Sequence, residues 1–152
     1  MRAREPDEQG YVERGGVRIG YETFGFDGPG AADRPAVVFV PIDTIVHSRA
    51  WKGQVPYLSQ HFRVVTIDPR GNGRTDRPTS SGAYDDLEFV ADTIAVMDHL
   101  GLERATLAGN ASAIRIVEAP WPQPRSVTRA PRSSLACTPS RAGIHSVSRC
   151  MR

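Results

Sequence analysis

Residues 63–77 read Arg-Val-Val-Thr-Ile-Asp-Pro-Arg-Gly-Asn-Gly-Arg-Thr-Asp-Arg, and they constrain the fold more than any other stretch. The β-branched run Val64-Val65-Thr66-Ile67 has the texture of a buried strand. Asp68 closes it, and Arg70, Gly71 and Gly73 follow. Two glycines spaced by one residue mark a backbone that turns sharply where a Cβ would clash.

The rest of the first 110 residues repeats this strand-and-turn texture. Residues 1–9 are polar and are expected to form a flexible leader. Tyr11–Glu13 and Val17–Phe24 are strand candidates joined by Gly15-Gly16, a strong hairpin signal because both positions tolerate φ > 0. Gly25, Gly28, Pro29, Gly30 and Pro35 make 25–35 a loop. Ala36–Val40 is an unbroken apolar run suited to a central strand. Trp51 to Leu58 is a short helix candidate that Pro56 must limit or kink. Asp85–Leu100 is the best helix, with acids in its first turns, Leu87, Val90, Ala91, Ile94, Met97 and Leu100 at helical spacing, and Gly101 as its stop. Ala105–Ala108 is a further short strand. Strands alternating with helices predict an α/β fold, a mostly parallel sheet with crossover helices and an antiparallel hairpin at one edge.

Asp68-Pro-Arg70-Gly71-Asn-Gly73-Arg-Thr75 resembles the D-x-R-G-x-G-x-S signature after the fourth strand of α/β-hydrolases, with Thr75 in the place of Ser. The order of elements over residues 10–112 is similar to the first half of such a domain. The resemblance implies an incomplete α/β-hydrolase sheet whose domain spans 10–118. It implies hydrolysis of a small-molecule ester or related bond through a serine, with no cofactor. In that pattern the nucleophile stands on a strand-to-helix elbow, G-x-S-x-G. Here the elbow reads Gly109-Asn110-Ala111-Ser112-Ala113. Ala111 falls at the nucleophile position, and Ser112 is one residue late. Ser112 is therefore either a displaced nucleophile or an ordinary serine at a helix start. The oxyanion hole draws a backbone N–H from the loop after the third strand, which here reads Pro41-Ile42-Asp43-Thr44. Ile42 and Asp43 are the candidate donors, since proline has no N–H. The absence of His-Gly from this loop argues away from epoxide-hydrolase or lipase chemistry. Asp68, Arg70, Gly71 and Gly73 are expected to build the turn, the two charged groups through charge-assisted hydrogen bonds. His47, His61 and His99 come too early for the family's base. Glu118 and His145 have the order of an acid and a base, but Glu118 stands only six residues past Ser112 with no strand end to hold it. The chain is expected to be inactive.

Charge divides the chain. Residues 1–110 hold 12 Arg or Lys against 16 Asp or Glu, net −4. Residues 111–152 hold 7 Arg against one acid, net +6. Residues 119–152 are rich in Arg, Pro and Ser without sustained period, and are expected to be a disordered tail. Three origins are open, in this order: a frameshift or faulty gene model; a natural basic tail for RNA or an acidic surface, which would make the chain a noncatalytic binding protein; and a split hydrolase whose partner chain supplies the missing half. Scattered arginines with only Trp121 to stack on argue against nucleic acid. If the tail is unstructured, the fifth strand's outer edge is left unpaired. No run approaches the ~20 apolar residues of a membrane helix. The polar start lacks a signal-peptide pattern, so a cytoplasmic protein is expected. Cys137 and Cys150 form no metal-ligand pattern, and no metal site is expected.

Overall fold

In the computed structural model, residues 3–40, 46–109 and the backbone of 126–129 are described. Strands β1 (Glu8–Arg14) and β2 (Val17–Phe24) form an antiparallel hairpin in which Arg14 pairs with Val17. Gly15 and Gly16 make the turn at φ 58° and 76°, where side chains are disfavoured. β1 begins three residues earlier than the expected Tyr11, so the leader anticipated over 1–9 is partly strand. Polar side chains, not apolar ones, hold this extension. Tyr21 Oη donates to Glu8 at 3.0 Å, and Asp7 accepts from the Phe26 amide at 2.9 Å. Gly10 opposes Tyr21, and a Cβ there would lie 2.3 Å from the phenol oxygen.

β3 (Ala36–Phe39) and β4 (Arg63–Ile67) are the expected buried strands, and β5 (Arg104–Ala108) the expected short strand. β2 is antiparallel to β4, while β3 lies parallel between β4 and β5. β6 (Ser126–Arg129) then pairs in parallel with Arg104–Leu107, giving the order β1-β2-β4-β3-β5-β6. The expected bare edge on β5 is thus corrected at these four residues, within the segment anticipated as unstructured. Val127 and Thr128 are β-branched, but a four-residue run is too short for a period to show. The other residues of 110–152 lie outside the described part.

The first helical segment departs from the single helix expected over Trp51 to Leu58. A 3-10 turn, Ser48–Trp51, is followed by a one-turn helix α1 (Val55–Leu58). Gly53 separates them, and Pro56 occupies the first turn, where a missing N–H breaks no helical bond. α2 (Asp86–His99) agrees with expectation, and Gly101 at φ 63° ends it. Its buried face is Phe89, Val90, Asp92, Thr93, Val96 and Met97, whereas Leu87 is 60% exposed.

The sheet separates two apolar layers. Ile19, Tyr21, Val38, Val65, Ile67 and Leu107 pack towards α2. Phe24, Val37, Phe39 and Val64 pack on the other face with Trp51, Val55 and Leu58. Neighbouring residues of β3 and β4 therefore serve opposite layers, which is why both strands read as continuous apolar runs. Trp51 stacks on Phe39 with centroids 4.3 Å apart. Among the described residues no helix is long and apolar enough to cross a membrane.

Candidate functional site

The turn after β4 is built from the side chain that ends the strand. Asp68 is buried and accepts the amides of Ser48 at 3.2 Å and Arg74 at 3.0 Å. One carboxylate thereby joins the segment after β3 to the turn after β4, and His47 Nδ1 stands 3.7 Å from it. Gly73 passes directly over this carboxylate at φ 55°, and a Cβ would lie 2.3 Å from Cγ of Asp68. Gly71, at φ 82°, faces the Tyr84 ring, 3.0 Å from where its Cβ would be. Thr75 is buried. Its hydroxyl donates to the Asp68 carbonyl at 2.7 Å and accepts from the Gly20 amide at 2.9 Å. Either Ser or Thr can make that bridge, so the departure from the family's residue leaves its chemistry intact.

Arg70 leaves the turn altogether. It makes a bidentate contact with Asp92 on α2, Nε to Oδ2 at 2.6 Å and Nη2 to Oδ1 at 2.9 Å, and donates to the Ala83 carbonyl at 3.3 Å. Arg14, at the end of β1, donates to the same Asp92 at 2.7 Å and pairs with Glu88. Glu88 also lies 3.1 Å from Arg70. Two cations and two anions thus pin α2 to β1 and to the β4 turn. The hydrogen bond from Arg14, opposed by burial, holds the Glu88 carboxyl below its usual range. Burial works against the Arg14 charge, but the bonds to Asp92 and Glu88 outweigh it and raise its pKa. Arg14, Glu88 and Asp92 escaped the sequence reading. The available signal was Asp92 itself, an acid between Val90 and Thr93 on the buried side of an amphipathic helix.

The ends of β3 and β5 lie side by side, with the Val40 amide donating to the Ala108 carbonyl at 2.9 Å. The described chain after β3 and after β5 therefore ends at adjacent points, Val40 and Ala108–Gly109. The candidate oxyanion donors Ile42 and Asp43, and the elbow residues Ala111 and Ser112, lie outside the described residues. The early histidines are accounted for. His47 accepts the Arg49 amide at 3.0 Å, His61 packs edge-on to Tyr57, and His99 Nε2 lies 3.1 Å from Tyr21 Oη.

Residues 35–110, half of the chain, match the family model described as the alpha/beta hydrolase fold. The chain belongs to the α/β-hydrolase fold family. It is 33% identical over 93 residues to 3-oxoadipate enol-lactonase 2 of Acinetobacter baylyi, covering 61% of this chain and 32% of that one. To epoxide hydrolase B of Mycobacterium tuberculosis it is 34% identical over 85 residues, covering 52% and 24%. Epoxide hydrolases thus stand among the relatives although Pro41-Ile42 replaces His-Gly. Among solved structures, Est816, an N-acyl homoserine lactone degrading enzyme, superposes with a TM-score of 0.64 at 30% identity, covering 77% of this chain and 42% of its own. Epoxide hydrolase A from Mycobacterium thermoresistibile also gives 0.64, at 28% identity, covering 76% and 34%. The chain spans a third or less of the length of these curated relatives.

Proposed function

We propose that this protein is a catalytically silent member of a hydrolase lineage whose ancestral chemistry is serine-dependent hydrolysis of a small-molecule ester or lactone-type bond. The observation that carries the reading is the residue at the elbow. β5 ends at Ala108, and Gly109 follows as the first small residue of the turn. Two positions on, where the nucleophile belongs, the sequence has Ala111. A methyl group can neither attack a carbonyl nor be activated by a base. Ser112 stands one residue late for the G-x-S-x-G pattern. The lactonase names among the relatives support the ester reading, because a lactone is a cyclic ester.

The catalytic test is steady-state hydrolysis of p-nitrophenyl acetate and butyrate by the purified chain. Wild type and Ser112→Ala should give the same rate as buffer with an inert protein. Saturable turnover in wild type that Ser112→Ala abolishes would make Ser112 the nucleophile.

A further inference from the structure

A cavity opens on the α1 face of the sheet between the N-terminal segment, β2, β4 and the 3-10 turn. It uses no residue of the turn after β5. Its floor is an unusual pair. Glu22 of β2 and Thr66 of β4 are direct partners across the antiparallel ladder, and both line the cavity. Thr66 is 2% exposed, and its hydroxyl has no hydrogen-bond partner among the described residues. The Glu22 side chain is 12% exposed, and among the described residues the cation within 4 Å of it is Arg74, at 3.9 Å. That distance exceeds a hydrogen bond. Arg74 is already engaged, donating to the Tyr21 carbonyl at 2.6 Å and to Gln9 at 3.3 Å. A mostly buried carboxylate beside an unused hydroxyl carries a desolvation cost that a donor-rich cation would offset.

The walls supply the rest of the recognition. Phe24 and Val55 present buried apolar surface to the cavity. Arg49 and Lys52 stand exposed at the rim, and neither has a carboxylate partner among the described residues. Arg4 also lines the cavity but is bound to Ser59 and Asp7. The arrangement is anionic at the floor and apolar along the walls, and at the mouth Arg49 and Lys52 outnumber the one exposed carboxylate in the lining, Glu5.

We propose that this cavity binds a small aliphatic amino acid. The ammonium donates to the Glu22 carboxylate and the Thr66 hydroxyl, the aliphatic part lies on Phe24 and Val55, and the carboxylate meets Arg49 and Lys52. The assignment is independent of whether the elbow is active.

The test is a titration of the ¹⁵N-labelled full chain, followed by two-dimensional NMR, with L-leucine, leucinamide and 4-methylpentanoate. Leucine should move the Glu22, Phe24 and Thr66 amides saturably. Leucinamide, which lacks the carboxylate, should bind more weakly, and 4-methylpentanoate, which lacks the ammonium, should not bind. Glu22→Gln removes a charge-assisted bond and should weaken leucine about tenfold or more. If that variant does not give a folded spectrum, Thr66→Val serves in its place, with weaker binding again expected. A cavity filled by water only, seen as no saturable shift up to the solubility of leucine, overturns the proposal. So does equal affinity in the floor variant used, or 4-methylpentanoate binding as well as leucine. Leucinamide binding as tightly as leucine would overturn the zwitterion assignment.

Discussion

Asp92→Asn takes one negative charge out of a cluster that water barely reaches, and its cost follows from the geometry. Asp92 is 2% exposed and Arg70 3%. Oδ1 accepts from Arg14 Nε and Arg70 Nη2, and Oδ2 accepts from Arg70 Nε. Asparagine keeps one acceptor oxygen. Placed at Oδ1, it retains two of these bonds, but its NH₂ then faces the N–H of Arg70 Nε across 2.6 Å. Arg70 is left with Glu88 and the Ala83 carbonyl. Removing one partner from a buried ion pair costs about 3–5 kcal/mol, and Asn belongs at the lower end and Ala at the upper. Against a total stability of about 5–15 kcal/mol, that is a large fraction. Urea unfolding followed by far-UV circular dichroism reads it directly. With a slope of about 1–3 kcal/mol per molar urea, the midpoint should fall by about 1 M or more. Glu88→Gln is the internal control. Its side chain is 36% exposed, so its loss should stay below about 1 kcal/mol. The double variant Arg70→Met, Asp92→Leu should recover much of the Asp92→Ala loss, because a matched apolar pair leaves neither charge unpaired. A change below about 1 kcal/mol for Asp92→Ala would refute the claim that this cluster holds α2 to the sheet.

Three further outcomes follow from the same geometry. Gly73→Ala forces a Cβ onto the Asp68 carboxylate at a left-handed φ and should cost at least ~1–3 kcal/mol by urea unfolding. Thr75→Val should cost about 1–3 kcal/mol, with Thr75→Ser close to wild type, because only the hydroxyl bridges Asp68 and Gly20. Burial, then the hydrogen bond and charge of Glu8, push the Tyr21 phenol up to about 12 from 10.0. Its folded pKa is raised, so its contribution is complete below the unfolded value and is lost as pH climbs from 10.0 to about 12. A late component in the 295 nm phenolate titration should vanish in Tyr21→Phe, and its persistence there would contradict the assignment.

Most of the sheet was legible because its strands are buried on both faces and its turns carry glycine. Val64–Ile67, Ala36–Phe39 and the Gly15-Gly16 hairpin each rest on signals confined to a few neighbouring residues. The elements that were misjudged depend on distant partners. Residues Glu8–Gly10 join β1 through Tyr21 and Thr23, which no local pattern announces. Ser126–Arg129 pairs with the edge of β5, a partner about twenty residues away that no local pattern announces. Arg70 sits among turn residues, but its side-chain partners are Asp92 and Glu88 on α2 and the Ala83 carbonyl just before it. The site divides the same way. Gly71, Gly73 and Thr75 could be read in place, whereas Glu22 and Thr66 become neighbours only once β2 pairs with β4.

The central claim, that the elbow carries no nucleophile, is tested most directly by incubating the full chain with a fluorophosphonate probe and measuring its intact mass. Unchanged mass, in wild type and in Ser112→Ala alike, is the predicted result. A single stoichiometric adduct mapped to Ser112 and absent from Ser112→Ala would contradict it.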